Sequence, residues 1–169
     1  AAATDTGASL HIVHLNSSGG ANTAEFLGLI AEARAAGHDV TTEAYPYEAS
    51  QNRIESAPHD DWESWEDERF QRYQWVETGE RLTRETFGQY RQQGGGVIIH
   101  GRTEEMTRTA IESPFTMIAS DGGIWEGRGH PRSSGTFSKV LGKYVREDGV
   151  LDLMDALHKM TLAPARRLE

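Results

Sequence analysis

Short apolar runs alternate with apolar stripes of helical spacing along this chain. Four runs have the length and composition of buried strands, and they lie at residues 9–15, 39–45, 97–100 and 115–120. Between the first two, Phe26, Leu29 and Ile30 fall on one face of a helix. A chain that alternates strands and helices in this way is expected to form parallel strands joined by right-handed crossovers.

Capping residues mark where the predicted helices begin. Asn22 with Glu25 forms a capping-box pattern, and Thr83 and Thr103 are predicted N-caps of two later helices. Three more helices are predicted after the last strand, around residues 140–145, 153–160 and 161–164.

The fold class that follows is α/β. Four βα units are half of an eight-unit barrel, and a complete barrel needs about 250 residues, whereas this chain has 169. We therefore predict one domain, 1–169, that is a partial TIM-type (β/α) barrel of about four parallel units followed by C-terminal helices. A free-standing doubly wound sheet is the alternative, but no Gly-x-Gly-x-x-Gly motif follows the first strand.

Residues 48–80 break the pattern and are predicted to be an insertion. Their aromatic residues stand among acidic ones, at Trp62, Trp65, Phe70, Tyr73 and Trp75. A segment of this length inside a domain is typical of a lid or a substrate wall, although the aromatic residues could simply anchor it to the body. His59, within it, is expected to be an ordinary surface residue.

Charge and composition exclude several classes of function. The net charge of −9 argues against binding to nucleic acid or to an anionic membrane. The absence of cysteine excludes disulfides and cysteine-ligated zinc. No apolar run approaches a membrane span, and the first residues lack the features of a signal peptide. We expect a soluble, cytoplasmic protein.

Ionisable or aromatic residues stand at the carboxyl ends of the predicted strands. They are His14, Glu43 with Tyr45, His100, and Asp121. Because the carboxyl ends of parallel strands share one rim, these side chains are expected to converge there. Imidazole and carboxylate are ligands for a divalent ion such as zinc, and an aspartate beside it can act as a general base. The alternatives are a turn-capping Asp121 and a core His14; His11 is expected to point to the other face of its strand.

Six motifs then follow one another along the chain. They are Leu-His-Ile-Val-His-Leu at 10–15, Glu-Ala-Tyr-Pro-Tyr at 43–47, Ile-Ala-Ser-Asp-Gly at 118–122, Gly-His-Pro-Arg-Ser at 129–133, Gly-Thr-Phe at 135–137 and Lys-Met-Thr at 159–161. In this order and spacing they resemble the carboxyl-terminal half of the N-acyl-D-amino-acid deacylases (D-aminoacylases) of the amidohydrolase superfamily. The Ser-Asp-Gly and His-Pro-Arg pair is the most specific part, and the resemblance is weakest across 51–80.

The resemblance implies a barrel enzyme that uses a divalent metal, most simply zinc, to hydrolyse the amide of an N-acyl-D-amino acid or related D-dipeptide. This chain would supply strands five to eight, with His14 matching the fifth-strand metal ligand. Asp121 would match the eighth-strand aspartate that takes a proton from the attacking water and returns it to the leaving amine. Arg132 would bind the substrate carboxylate, for which a planar guanidinium is suited. Tyr45, His130 and His100 are the other candidate substrate contacts.

The chain also departs from that family. The sixth-strand ligand is usually His, yet residues 39–45 contain none, so Glu43 or Tyr45 would have to substitute. The His-x-His pair of the first strand, strands one to four and the flanking β-sandwich have no counterpart. We therefore expect a fragment that is nearly inactive alone, with open edges near Leu10 and Met117 that need a missing half-barrel or a second copy. The alternatives are a non-catalytic half-barrel that dimerises and a hydrolase of cyclic amides.

Overall fold

The computed structural model describes residues 2–125 and 127–168. Helices α1 to α9 lie at Ala2–Thr6, Leu15–Gly19, Thr23–Ala35, Asp67–Phe70, Arg84–Gln93, Glu104–Glu112, Arg132–Lys139, Leu153–Met160 and Leu162–Leu168. Strands β1 to β8 lie at Leu10–Ile12, Val40–Ala44, Ser50–Arg53, Tyr73–Trp75, Gly96–Ile99, Thr116–Ile118, Ile124–Trp125 and Arg128–Gly129. A π-helical segment, Val140–Glu147, continues α7. Within the described residues, no helix is long and apolar enough to cross a membrane.

A parallel sheet with the strand order β1-β2-β6 organises the fold. Leu10 pairs with Val40, and Thr42 pairs with Thr116, so β2 lies between the other two strands. On one face of the sheet, Val40 packs with Leu27 and Ile30 of α3, because the apolar stripe of that helix covers the strand. The predicted α/β class is confirmed, with three parallel strands in this sheet.

The prediction of a fourth parallel unit is wrong. The run at 97–100 forms β5, which pairs antiparallel with β3 and β4 in a separate sheet, while β2 contacts β6 directly. The physical reason is that Val97 is completely buried against the aromatic residues of the preceding segment. A short apolar run has the same sequence signature in a parallel and in an antiparallel sheet, so only its packing partners decide between them.

The aromatic residues of the predicted insertion build a hydrophobic core of their own. Its members are Ile54, Trp65, Phe70, Tyr73, Trp75, Leu82, Phe87 and Val97. His59 is inside this core, 2% exposed, with its ring Nδ1 3.1 Å from the carbonyl oxygen of Ile54. The expectation of a surface histidine at this position is therefore wrong. The segment is a packed unit that extends to β5 rather than an open loop.

The ends of the helices show which capping signals are used. Thr83 and Thr103 each accept a hydrogen bond from the third residue of the following helix, as predicted. Asn22 precedes α3 but makes no side-chain cap; Thr23 instead donates its hydroxyl to the Gly20 carbonyl at 2.7 Å. A 3₁₀ turn at Gly20–Asn22 takes over the start of that helix.

A buried lysine joins the C-terminal helices to the parallel sheet. Lys159 of α8 is 4% exposed, and its ammonium donates to the carbonyl oxygens of Ser113 and Thr116, which precede and begin β6. Around it, Ile118 packs with Val140 and Tyr144 of the α7 extension. These contacts fix β6, and with it the loop that follows, against the rest of the domain.

The close approach of Gly95 to Trp75 should make the aromatic core that contains Trp75 sensitive to one added methyl group. Gly95 has φ +148°, and a Cβ there would lie 2.4 Å from the Trp75 ring. We expect Gly95→Ala to lower the free energy of unfolding by about 2 kcal/mol or more, because the change combines backbone strain with overpacking.

The matched control is Gly28→Ala in α3, where a Cβ would meet nothing within 4 Å. Helix propensity predicts that this change leaves stability unchanged or raises it by up to about 1 kcal/mol. Urea denaturation of both variants gives the comparison, and equal stabilities would contradict the packing at Gly95.

Candidate functional site

Two residues with left-handed backbone conformation follow the outer strands, β1 and β6, of the parallel sheet. His14 and Asp121 both have φ 47°, and they are the only non-glycine residues with positive φ in the described chain. This conformation costs about 1 kcal/mol or more for a residue with a Cβ. The two strained turns aim both side chains across the carboxyl end of β2, which lies between them.

The two side chains meet and are joined by an arginine. His14 Nε2 lies 3.1 Å from Asp121 Oδ1, and Arg132 Nη2 lies 2.8 Å from Asp121 Oδ2. Burial raises the pKa of Asp121, but the His14 hydrogen bond and the Arg132 charge outweigh it, so that the pKa is below its usual value. Asp121 is therefore an ionised acceptor near neutral pH.

Tyr45 packs next to this pair, with its ring centroid 6.2 Å from that of His14. It is completely buried, its carbonyl accepts a 2.8 Å hydrogen bond from Asn16, and the guanidinium carbon of Arg132 lies 4.6 Å from its ring centroid. Arg102 donates to its hydroxyl at 3.0 Å. The sequence predicted Tyr45 at this rim, but it gave no indication of Arg102, which follows a strand of the other sheet.

The two most specific motifs are in direct contact. The Ser133 hydroxyl donates to the Gly123 carbonyl at 3.1 Å, and the Gly123 amide donates to the Ser133 Oγ at 3.1 Å. A Cβ on Gly122 would lie 2.8 Å from the Ser133 Cα, so the backbone can approach this closely only without a side chain there. The Ser-Asp-Gly and His-Pro-Arg-Ser segments thus form one unit that holds Asp121 against Arg132.

His130 is a buried, neutral supporting residue. Its Nδ1 accepts the Arg132 amide at 3.0 Å, its own amide donates to Gln51 Oε1 at 2.9 Å, and its ring packs edge-on against Tyr47. Burial, followed by the charges of Arg132 and Arg102, lowers the pKa of His130 to about 4. This histidine orients the start of α7 and with it Arg132.

Glu43 and His100 lie away from the His14–Asp121 pair. Glu43 Oε2 is 3.2 Å from His11 Nε2, and the same ring bonds Thr41 at 2.7 Å, so His11 and Glu43 share the open face of the sheet. Strand alternation predicts that His11 and His14 point to opposite faces. Because β1 ends at Ile12, that alternation does not extend to His14. His100 Nε2 bonds Gln74 Oε1 at 2.9 Å, next to His130 rather than Asp121.

A cavity of about 630 Å³ opens beside Asp121 and Arg132. Its opposite wall comes from the second sheet, with Gln51, Arg53 and Gly96 among the lining residues. This volume suits a small-molecule ligand. The aromatic core behind the second sheet thus serves to hold a wall of the cavity in place.

The described residues offer a partial set of metal ligands. His14 Nε2 and Asp121 Oδ1 are as close as two ligands of one zinc ion would be, given bond lengths of about 2.0–2.2 Å. No group of three or more His, Cys, Asp or Glu side chains within residues 2–125 and 127–168 is arranged to hold a metal. The donor chemistry suits a divalent cation, and the number of donors is below that of a complete site.

The lowered pKa of His130 predicts acid-sensitive stability. An unfolded histidine binds its proton near pH 6.5, whereas folded His130 does so near pH 4. Between these values the unfolded state binds more protons, so the free energy of unfolding should fall as the pH drops, by on the order of 3 kcal/mol.

His130→Asn tests this, because an asparagine oxygen can accept the Arg132 amide but does not titrate. Urea denaturation from pH 7.5 to 4 should show a smaller loss of stability in this variant than in wild type. His158→Asn on α8 is the control and should retain the wild-type slope; a wild-type slope in His130→Asn would contradict the assignment.

Comparison with known proteins gives similarity to deacylases over part of the sequence, while no family model matches. The chain is 41% identical over 71 residues to the N-acyl-D-glutamate deacylase of Alcaligenes xylosoxydans xylosoxydans, covering 42% of the chain and 14% of that protein. It is 40% identical over 75 residues to the D-aminoacylase of the same organism, covering 44% of the chain and 16% of the relative.

The fold is similar over nearly the whole chain. The crystal structure of N-acyl-D-glutamate deacylase from Bordetella bronchiseptica, complexed with zinc and a phosphonate inhibitor, matches with a TM-score of 0.79 and 26% identity over 97% of this chain. A D-aminoacylase structure concerned with the binuclear metal centre matches with a TM-score of 0.76 over 98%. The chain spans only 37% of each. These findings confirm that the chain resembles the D-aminoacylases in both sequence and fold.

Proposed function

We propose that this chain carries part of the active site of a metal-dependent amidohydrolase that cleaves the amide bond of N-acyl-D-amino acids or related D-dipeptides. The observation that carries the proposal is the bonded series His14–Asp121–Arg132 at the edge of a cavity of small-molecule size. The deacylases with a similar fold support the reaction class. The chain spans a minor part of each, so it is expected to be nearly inactive without the remainder of the barrel.

The sheet order supports a revised strand assignment. Consecutive strands of a barrel are neighbours, and β2 lies directly beside β6. If Asp121 follows the eighth strand, then β2 is the seventh and β1 the sixth. His14 then matches the sixth-strand ligand rather than the fifth, and no residue of β2 has to replace a histidine. Glu43, which pairs with His11, is left outside the proposed metal site.

His14 and Asp121 are the residues proposed to hold the divalent metal. When bound, such a metal supplies Lewis-acid polarisation of the amide carbonyl and a more acidic water. The two donors stand at left-handed turns, and their side chains already lie 3.1 Å apart. The remaining ligands would come from the part of the barrel that this chain does not contain.

The remaining chemistry belongs to Asp121 and Arg132. An ionised Asp121 carboxylate can accept a proton from the attacking water and deliver it to the leaving nitrogen, since general bases act over one hydrogen bond. Arg132 is 4% exposed, and its Nε and Nη1 have no partner, so it keeps donors available for a substrate carboxylate. Its contact with Asp121 would place that carboxylate close to the reacting amide.

A non-catalytic half-barrel that dimerises is a weaker proposal, because such a role gives no reason for two strained residues to converge on one point. A hydrolase of cyclic amides keeps the same mechanism and differs in having no free carboxylate for Arg132. The two predictions that follow separate these functions.

Metal binding should depend on His14 and Asp121 but not on Glu43. Titration of the apo-protein with Zn²⁺ by calorimetry should give an affinity that falls at least tenfold in His14→Ala and in Asp121→Asn, because each removes a donor. Glu43→Gln should retain the wild-type affinity, and so should the distant His38→Ala. Loss of affinity in Glu43→Gln, or none in His14→Ala, would contradict the assignment.

Arg132 should recognise the substrate carboxylate. The wild-type chain should bind N-acetyl-D-alanine at least tenfold more tightly than the corresponding carboxamide. The neutral carboxamide would leave the buried guanidinium without a charged partner. Arg132→Lys should lose most of that preference, since the planar pair of donors is gone.

Calorimetry with both ligands measures the ratio of dissociation constants, and exposed Arg108→Lys on α6 is the matched control. Equal weakening of both ligands in Arg132→Lys would argue against the assigned contact and favour the cyclic-amide reading.

A further inference from the structure

Two cavities lie against the His-Pro-Arg segment. Arg132 lines the cavity beside Asp121, whereas His130 lines a second cavity of about 710 Å³. Gln51 of β3 lines the first of them, on the side opposite Asp121. Because β3 is an edge strand of its sheet, one of its sides is available to contact the His-Pro-Arg segment. The second sheet thus contributes a polar side chain to the candidate site.

Gln51, His130 and Arg132 form a closed ring of hydrogen bonds. The His130 amide donates to Gln51 Oε1 at 2.9 Å, and the Arg132 amide donates to His130 Nδ1 at 3.0 Å. Arg132 Nη2 completes the ring with a longer hydrogen bond, of 3.4 Å, to the Gln51 carbonyl. Each of the three residues contacts the other two, so the ring restrains the Gln51 side chain relative to the guanidinium.

The ring determines which end of the Gln51 amide group is already used. A backbone amide can only donate, so the Gln51 atom that faces the His130 amide is the oxygen, and the nitrogen takes the other position. Nε2 is buried and has no hydrogen-bond partner among the described residues. A Cβ on Gly96 would lie 3.6 Å from it, and Gly96 also lines the cavity beside Asp121. Nε2 is therefore an unused donor in the wall of that cavity.

Two side chains that contact each other hold three unused donors. They are Gln51 Nε2 with Arg132 Nε and Nη1, all buried and all without a partner in the part of the chain that the structure describes. Such donors cost free energy, because folding has removed the water that would otherwise accept from them. A carboxylate has two oxygens that only accept, with about four lone pairs, so it can satisfy several of these donors at once.

We propose that Gln51 is a specificity-determining residue of the candidate site, which donates from Nε2 to the substrate carboxylate beside Arg132. The proposal rests on the proposed function and adds to it a contact from the second sheet. Residue 51 begins the stretch in which the resemblance to the deacylases is weakest, and no sequence pattern singled it out. Donors from two separate elements determine how a carboxylate is rotated as well as where it lies.

Gln51→Glu tests the proposal, because it keeps an oxygen for the His130 amide and replaces the unused donor with a carboxylate oxygen. Calorimetry of the whole chain should show N-acetyl-D-alanine binding at least tenfold more weakly than in wild type, since the new charge pairs with Arg132 and repels the ligand. The affinity for the corresponding neutral carboxamide should change by less than about threefold.

Two further variants separate the lost donor from the added charge. Gln51→Met has a similar length and no charge, and it should weaken N-acetyl-D-alanine by at least fivefold and the carboxamide less, because a charged acceptor gains more from the donor. Exposed Gln92→Glu on α5 adds the same charge as Gln51→Glu and should retain the wild-type affinity for both ligands.

Each other outcome has a separate meaning. A wild-type preference for the carboxylate ligand in both Gln51 variants would overturn the role of Gln51 and leave the proposed function standing. Equal weakening of both ligands in Gln51→Met would overturn it as well, because the residue would then only hold the cavity wall. Binding of neither ligand by the wild-type chain would count against the proposed function itself.

A measurement on the unmodified chain applies even if the Gln51 variants do not fold. In nitrogen-edited NMR spectra, the side-chain amide protons of Gln51 should move downfield when N-acetyl-D-alanine binds, because they acquire a charged acceptor. The carboxamide should move them less, and the side-chain amide of Gln92 should not respond to either ligand. Unchanged Gln51 signals at saturation with N-acetyl-D-alanine would overturn the proposal.

Discussion

The contact between His14 and Asp121 across the end of β2 is the constraint on which the rest of the structure depends. Two residues that are strained at φ 47° can persist only where their surroundings determine their position. Those surroundings are specific: Asn16 fixes the backbone of Tyr45 beneath the pair, and Arg132 neutralises Asp121 from the side. The strain is thus compensated by contacts that come from distant parts of the chain.

The hydrophobic core that the predicted insertion builds has a role that the sequence alone did not indicate. It consists mainly of aromatic side chains, including Trp65 stacked on Tyr73 with a ring separation of 5.4 Å. Aromatic residues provide large buried areas at low conformational cost, so a short segment can become rigid without many residues. The sheet that this core supports forms one wall of the cavity beside Asp121, so the predicted insertion borders the candidate site.

The charge of the protein is distributed unevenly. The chain is acidic overall, yet Arg102, Arg128, Arg132 and Lys139 all line the two cavities. Of these four side chains, Arg132 is buried, and water screens a buried charge less than an exposed one. Two of them, Arg102 and Arg132, contact the ring of the buried Tyr45.

The sequence by itself determined the strands of the parallel sheet and singled out His14, Tyr45, Asp121 and Arg132 as candidate site residues. It did so because strand periodicity, capping residues and motif spacing are local properties. Only the tertiary structure decided that 97–100 leaves the parallel sheet, that Glu43 pairs with His11, and that Arg102 reaches Tyr45. Each of these depends on which segments pack together over long distances in the chain, and a short apolar run or a single arginine is compatible with several such partners until the cores form.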